Sequence, residues 1–184
     1  MPARPTLVVV SGPPATGKTT LAHRLARELG CPAIIRDEIK QGMVMSATAH
    51  RPGGGDPLNV PAMHAFFDTL AVLLRAGVTV VAEAAYQDRL WRPGLEPLTK
   101  VADLRIIRCT TSTPTIIQRM TERADSDRHR AAHDDRQLLA DIAVGAYRPE
   151  KFADISLDAP ALLVDTSDGY HPGAAEIGAF VRAR

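Results

Sequence analysis

The chain is poor in aromatic residues and carries almost no net charge. Aromatic side chains make up 4% of its 184 residues, and 22 basic residues nearly balance 21 acidic ones, which leaves a formal net charge of +1. Few rings leave little surface on which successive bases would stack, and a balanced charge gives no general attraction to a phosphate backbone or an anionic membrane. Both features count against a nucleic-acid partner.

The chain also lacks a cysteine framework and any long apolar run. Its two cysteines, Cys31 and Cys109, are far apart and do not have metal-ligand spacing. The N-terminus lacks the apolar stretch of a signal peptide, and no segment approaches the ~18 consecutive apolar residues that cross a bilayer. We therefore expect a cytoplasmic protein with reduced thiols and no membrane segment. The sequence indicates no oligomeric state.

Short apolar runs alternate with segments of helical periodicity along the whole chain. The apolar runs predict five strands, at residues 6–10, 32–35, 78–82, 104–109 and 162–164. The periodic segments predict helices at residues 18–30, 37–46, 61–76, 114–124 and 174–181. This alternation predicts a single α/β domain over residues 1–184, a three-layer sandwich around a five-stranded parallel sheet.

The segment between the first strand and the first helix fits a phosphate-binding loop (P-loop). Its sequence, GPPATGKT, matches G-x-x-x-x-G-K-[ST] in full. Backbone N–H groups of such a loop surround phosphates, while Lys18 reaches the β and γ phosphates and the Thr19 hydroxyl binds Mg²⁺. The chain has no N-K-x-D guanine motif, which argues against a GTPase. We expect ATP and Mg²⁺ to bind through Gly12, Pro13, Pro14, Ala15, Thr16, Gly17, Lys18, Thr19 and Thr20.

Acidic side chains follow the second and third predicted strands. Because neighbouring parallel strands open onto one crevice at their carboxyl ends, Asp37 is a candidate base for an acceptor hydroxyl, or a cap of its helix, or both. Lys40 lies one turn further on the same face and is a candidate acceptor contact. Glu83 either serves the metal and its water shell, contacts the acceptor, or faces solvent. Tyr86 and Trp91 are candidates for lining the acceptor pocket. For Trp91 the alternative is a packing anchor for the next helix.

Two polar segments are candidates for moving parts. Residues 47–60, with three glycines and two prolines, predict a flexible loop on the acceptor side. Residues 119–136 predict a lid, because Arg119 and Arg123 project from one helical face and a charge-dense stretch follows. Arginines near a nucleotide stabilise the charge of a phosphoryl group in transfer, although a charged stretch is also typical of a solvated surface.

These motifs together resemble one family. The segments SGPPATGKTT, RDEIK, VVAEAAY, QRMTER and LLVDTSDG follow the order found in small P-loop kinases that have an AAA-type ATP-binding domain. This group is related to the kinase domain of polynucleotide kinase, chloramphenicol phosphotransferase, gluconate kinase and the zeta toxins. The resemblance covers nearly the whole chain and implies a nucleoside-monophosphate-kinase-like fold with a lid.

The resemblance implies a role for several positions. Asp37 takes the place of the acceptor base, and Glu83 that of an acid that contacts the acceptor. Arg119 would lie beside the adenine, and Arg123 would contact the transferred phosphate. Lys40 stands where polynucleotide kinases carry an arginine, which weakens that particular analogy. Asp165 and Thr166, in the loop after the last strand, would border the adenine mainly through their backbone.

The leading hypothesis is an ATP-dependent kinase that phosphorylates a hydroxyl of a small molecule such as an antibiotic, sugar or nucleoside. Two alternatives stay open. One is a 5′-hydroxyl polynucleotide kinase, whose oligonucleotide binding would fall steeply with salt. The other is a nucleotide-binding adaptor with slow ATPase activity, which would bind a partner in only one nucleotide state. A deep pocket beside Asp37 would favour an enzyme over an adaptor.

Overall fold

Five parallel strands form one sheet in the order β2-β3-β1-β4-β5. The computed structural model describes residues 4–46, 56–126, 135–147, 152 and 155–183. The strands are β1 (Thr6–Ser11), β2 (Ala33–Ile35), β3 (Val80–Glu83), β4 (Asp103–Thr110) and β5 (Ala161–Asp165). The α/β class and the five-stranded parallel sheet predicted from the sequence are confirmed.

Helices cover both faces of this sheet. They are α1 (Lys18–Leu29), α2 (Arg36–Ser46), α3 (Asn59–Arg75), α4 (Asp88–Leu95), α5 (Thr113–Ser126), α6 (Asp135–Ala143) and α7 (Ala174–Arg182), with a 3₁₀ turn at Glu96–Lys100. No helix among the described residues is both long and apolar enough to span a bilayer. The thiols of Cys31 and Cys109 are free.

The sheet is the middle layer because successive side chains of its strands point to opposite faces. Val8 and Val10 of β1 pack with the apolar faces of α1 and α7. Leu7 and Val9 pack on the other side, with the apolar face of α3 and with α4. All four β1 residues are at most 1% exposed. The buried central strand therefore holds the P-loop that follows it in a fixed place at the carboxyl edge.

Helix α4 and the 3₁₀ turn were not predicted from the sequence. Helix α4 contains Pro93 and Gly94, residues that ordinarily interrupt a helix. Tertiary packing stabilises it nonetheless, because Trp91 and Leu95 lie one turn apart and are buried in the core. Gly94 is required there, since a Cβ would lie 2.4 Å from ring atoms of Phe67.

Helix α6 was also missed, because charge dominates the sequence before it. Its apolar residues Leu138, Leu139 and Ile142 pack against a small cluster that includes Ala15 of the P-loop. The predicted lid lies partly on α5, and its residues 127–134 fall outside the described part of the chain. So do residues 47–55 of the predicted acceptor-side loop. The end of that loop is helical instead, because α3 already begins at Asn59.

Candidate active site

The P-loop has the backbone shape that its glycines predict. Gly12 has a φ of 133°, and the φ values of Ala15 and Gly17 are 63° and 72°. A Cβ at Gly12 would lie 2.2 Å from the carbonyl oxygen of Cys109 in β4. The loop therefore passes the end of β4 at a distance that only glycine permits. Gly17 then forms the N-cap of α1, which directs the positive end of that helix towards the loop.

Thr16 and Lys18 of the P-loop are buried, and their side chains form hydrogen bonds within the loop. Thr16 Oγ1 and Lys18 Nζ both donate to the Pro13 carbonyl oxygen, each at 2.8 Å. Lys18 is 7% exposed, which is low for an ammonium group and reflects this internal hydrogen bond. The sequence assigned these residues to the phosphate site, and the structure brings them together around one short loop.

Glu83 at the end of β3 faces the P-loop. Its Oε2 accepts a hydrogen bond from Thr19 Oγ1 at 2.9 Å, and its Oε1 lies 4.0 Å from Lys18 Nζ. Burial raises the pKa of the Glu83 carboxyl, the Lys18 charge opposes that rise, and the nearby Asp37 charge adds to it. The alternative that Glu83 faces solvent is wrong, because the residue is only 3% exposed.

Asp37 lies in the first turn of α2, directly after β2. It is the second residue of that helix, which begins at Arg36. Its side chain is 39% exposed, and its Oδ1 accepts a hydrogen bond from Arg36 Nη1 at 3.0 Å. β2 and β3 are neighbours in which Ile35 pairs with Glu83, so the two carboxylates stand at the same edge of the sheet. That arrangement explains the electrostatic effect of Asp37 on Glu83.

Lys40, one turn after Asp37, takes part in a buried ion pair. Its Nζ lies 2.6 Å from Oδ2 of Asp56, and the two side chains are 7% and 0% exposed. Oδ1 of Asp56 accepts a hydrogen bond from the Leu58 amide at 2.8 Å, just before α3 begins. The pair therefore joins α2 to the start of α3. Contact between Lys40 and an acceptor stays a prediction, and no pattern in the sequence pointed to Asp56.

Arg119 joins α5, which begins the predicted lid, to the two loops expected around a nucleotide. Its Nη1 donates to the Ala15 carbonyl at 3.3 Å and to Thr166 Oγ1 at 3.2 Å, and its Nη2 donates to the Thr166 carbonyl. Thr166 Oγ1 in turn donates to the Thr16 carbonyl at 2.9 Å. Asp165 precedes it, with a carboxyl whose pKa is lowered by hydrogen bonds from Ser167. The side chain of Arg123 lies outside the described residues.

The aromatic residues after Glu83 pack in the core. Tyr86 and Trp91 have ring centroids 5.0 Å apart, and both contact the ring of Phe66. Trp91 is thus a packing anchor, which was one of the two readings of the sequence. The Tyr86 hydroxyl is buried and has no hydrogen-bond partner among the described residues. Burial raises the pKa of Tyr86 well above its ordinary value.

Two cavities in the described part of the chain lie away from Asp37. One, of about 260 Å³, is lined by residues that include Ser11, Arg108 and Leu157. The other, of about 760 Å³, lies at the amino-terminal edge of the sheet beside Arg4 and Arg105. The expected pocket beside Asp37, which would separate an enzyme from an adaptor, therefore stays a prediction.

The residues around Thr19 fit a hard divalent cation. A hydroxyl and a carboxylate oxygen, Thr19 Oγ1 and Glu83 Oε2, lie 2.9 Å apart beside the P-loop. Oxygen ligands of this kind suit Mg²⁺, which keeps several waters and binds one or two protein groups together with substrate phosphates. The described residues contain no cluster of three or more His, Cys, Asp or Glu that could hold a metal ion.

Comparison with known families identifies this architecture. A family model described as an AAA domain matches residues 7–144. The chain belongs to this family. Together with the kinases among its structural neighbours, the match confirms the resemblance to small P-loop kinases. Membership implies that the chain binds ATP with a metal ion and is a phosphotransferase. A search of curated proteins gives no match.

Solved structures extend the likeness over the whole chain. A candidate kinase from Chloroflexus aurantiacus J-10-fl is 28% identical, with a TM-score of 0.84 over 98% of both chains. A gluconokinase from Sinorhizobium meliloti 1021 is 15% identical, with a TM-score of 0.57 over 97% of this chain and 91% of its own. The Mycobacterium tuberculosis APS kinase CysC, solved with AMPPNP and APS, is 16% identical, with a TM-score of 0.54 over 88% and 90%. The last two show the shared fold alone.

Proposed function

We propose that the protein transfers the γ-phosphate of ATP to a hydroxyl group of a small molecule, with Mg²⁺ as the metal. The observation that carries this proposal is the convergence of four side chains at one edge of the sheet. Lys18 and Thr19 of the P-loop contact or approach Glu83, and the Asp37 carboxylate is close enough to Glu83 to raise its pKa. A nucleotide site and an exposed carboxylate thus face one another.

Each of these residues has a part in the transfer. The P-loop amides and Lys18 bind the phosphates. The Thr19 hydroxyl and Glu83 would hold Mg²⁺, which would supply positive charge against the phosphates. Asp37 accepts the proton of the acceptor hydroxyl while the acceptor oxygen forms a bond to the γ-phosphorus. The bond from that phosphorus to the β–γ bridging oxygen breaks, and ADP leaves with the electron pair.

Asp37 suits the role of base because its carboxylate is more open to the site than that of Glu83. Its side chain is 39% exposed, whereas that of Glu83 is 4% exposed and already bonded to Thr19. A carboxylate that is accessible and lies across from the phosphate site can reach an acceptor proton. A small-molecule acceptor also agrees with the near-neutral charge and the few aromatic residues of the chain.

The test is phosphate transfer from γ-labelled ATP to a panel of antibiotics, sugars, nucleosides and 5′-hydroxyl oligonucleotides. Asp37→Asn should reduce transfer by about 10²–10⁴-fold, the usual contribution of a general base, while the dissociation constant for ATP changes by less than about twofold. Asp68→Asn, which changes an exposed carboxylate on α3, is the matched control and should keep full activity.

The outcomes separate the three hypotheses. Full activity of Asp37→Asn would remove Asp37 from the role of base. Transfer to oligonucleotides alone, with affinity that falls steeply as salt rises, would replace the proposal by a polynucleotide kinase. Tight ATP binding with no transfer to any acceptor, together with a partner that binds one nucleotide state, would replace it by an adaptor.

A further inference from the structure

Arg36 is the first residue of α2, and its guanidinium group divides its hydrogen bonds between two elements. Nη1 donates to Asp37 Oδ1 at 3.0 Å, while Nη2 donates to Asn59 at the start of α3, to the side-chain Oδ1 at 2.9 Å and to the carbonyl oxygen at 3.1 Å. The Arg36 side chain is only 14% exposed. A largely buried arginine thus lies between the proposed base and the helix that follows the acceptor-side loop.

The contact with Asp37 needs a cause beyond helix geometry. Adjacent residues on a helix do not face each other, so Arg36 and Asp37 meet only if the arginine is held towards its neighbour. The two oxygen atoms of Asn59 supply that restraint, because both accept hydrogen bonds from Nη2 of Arg36. Since the guanidinium group is planar and rigid, Nη1 is then directed towards Asp37. The orientation of Asp37 therefore depends on a residue 22 positions further along the chain.

We propose that Arg36 is a positioning residue that sets the orientation of Asp37 and couples it to the start of α3. This inference rests on the proposed function, since it assigns Asp37 the role of base. Arg36 donates to Oδ1 of Asp37 and so restrains the carboxylate that meets the acceptor hydroxyl. Movement of the first turn of α3 shifts Asn59, and through Arg36 it turns the carboxylate.

A second link makes the coupling between the helices tight. Lys40 on α2 pairs with Asp56 at 2.6 Å, and Asp56 also accepts the Leu58 amide in the turn before α3. Both basic residues of α2 thus bind the start of α3, one turn apart. Movement at the start of α3 therefore reaches both basic residues of α2 at once.

The test compares variants of the link in the full-length protein. Arg36→Lys keeps the charge but cannot bridge Asp37 and Asn59 with a planar fork. We expect its kcat to fall by about 10–100-fold, the usual cost of a misplaced catalytic group, while KM for ATP and the melting temperature stay close to wild type. Asn59→Ala, which removes only one of the three bonds, should lower kcat by a smaller factor. Arg27→Lys, an exposed change at the end of α1, is the matched control.

The assay uses the acceptor of the panel that receives most phosphate. If no acceptor is phosphorylated, ATP hydrolysis is measured instead, with water as the acceptor. A positioning role predicts that Arg36→Lys adds nothing to the defect of Asp37→Asn, whereas a purely structural role predicts that the two defects multiply. Any of three results would overturn the inference: defects that multiply in the double variant, an unchanged kcat in Arg36→Lys, or a fall in melting temperature that accounts for the loss of activity. An active Asp37→Asn variant would instead refute the base and the inference together.

Discussion

Gly12, the first residue of the P-loop, offers the sharpest test of how the fold fixes the phosphate site. Its φ of 133° lies in a region that side-chain-bearing residues rarely adopt. A Cβ at this position would lie 2.2 Å from the Cys109 carbonyl oxygen, about 1 Å inside normal van der Waals contact. The obstructing atom belongs to the backbone of β4, which pairs with β1 along its length, so no flexible side chain can move aside.

The magnitude of Gly12→Ala follows from these two effects. Backbone strain at such a φ costs about 1–3 kcal/mol, and overpacking against a rigid neighbour adds about 1–3 kcal/mol. We therefore expect the free energy of unfolding to fall by about 2–6 kcal/mol, which lowers the melting temperature by roughly 4–24 °C in a chain of this size. The displaced loop should also weaken ATP binding by more than about tenfold.

Gly30→Ala is the matched control for this prediction. Gly30 ends α1 with a φ of 66°, and an added Cβ there would meet nothing within 4 Å. Gly30→Ala should lower the free energy of unfolding by about 1–2 kcal/mol, because only the left-handed conformation is unfavourable, and ATP binding should not change. Urea denaturation and nucleotide titration of both variants give the comparison. If Gly12→Ala cost no more than Gly30→Ala, the close approach of the P-loop to β4 would not constrain the site.

Two further predictions concern buried ionisable groups. Burial raises the pKa of Cys109 to about 12 from an ordinary 9.0, so the unfolded chain ionises this thiol first. Between pH 9.0 and pH 12 the folded state binds more protons than the unfolded state. As the pH rises through this range, the free energy of unfolding falls by up to about 1.4 kcal/mol per pH unit. Urea denaturation from pH 8 to pH 10.5 should show a flatter decline for Cys109→Ala than for wild type, and parallel curves would contradict the shift. Tyr86→Phe removes a buried hydroxyl that has no partner among the described residues, so unfolding should cost the same or about 1 kcal/mol more. In the same denaturation assay Phe66→Leu, the control for aromatic packing, should destabilise the protein. A marked fall in the free energy of unfolding of Tyr86→Phe would show that the hydroxyl does have a hydrogen-bond partner.

The central sheet and the P-loop were predictable because their signals are local. Residues 6–10 form a short, mostly β-branched run that is typical of a buried strand, and a glycine-rich loop with Lys18 follows it immediately. Such motifs require residues at fixed short spacing, since the chemistry takes place within one turn of the backbone. Glu83 was also found, because a lone acid at the end of an apolar strand stands out in sequence.

The missed elements are those in which tertiary packing outweighs local propensity. Helix α4 contains Pro93 and Gly94, and only the ring of Phe67 explains why a residue without a Cβ is needed. Helix α6 follows a charge-dense stretch, and its apolar residues gain their meaning from the cluster around Ala15 in the P-loop. Neither neighbour can be inferred from the segment itself, because each lies more than 20 residues away in the chain.

The acceptor side follows the same logic. Asp37 was a candidate from sequence, whereas the residues that contact its side chain and helix were not identified as such. An acid after a strand is a local signal, but the groups that hold it come from another element. Arg36 reaches Asn59, and Lys40 reaches Asp56, across a glycine-rich segment whose sequence carries no pairing signal. Each basic residue reads in isolation as part of a solvated helix. An arginine or lysine that is largely buried needs hydrogen-bond or ion-pair partners. Here those partners restrain α2 and, in the proposed role of Arg36, the orientation of the Asp37 carboxylate.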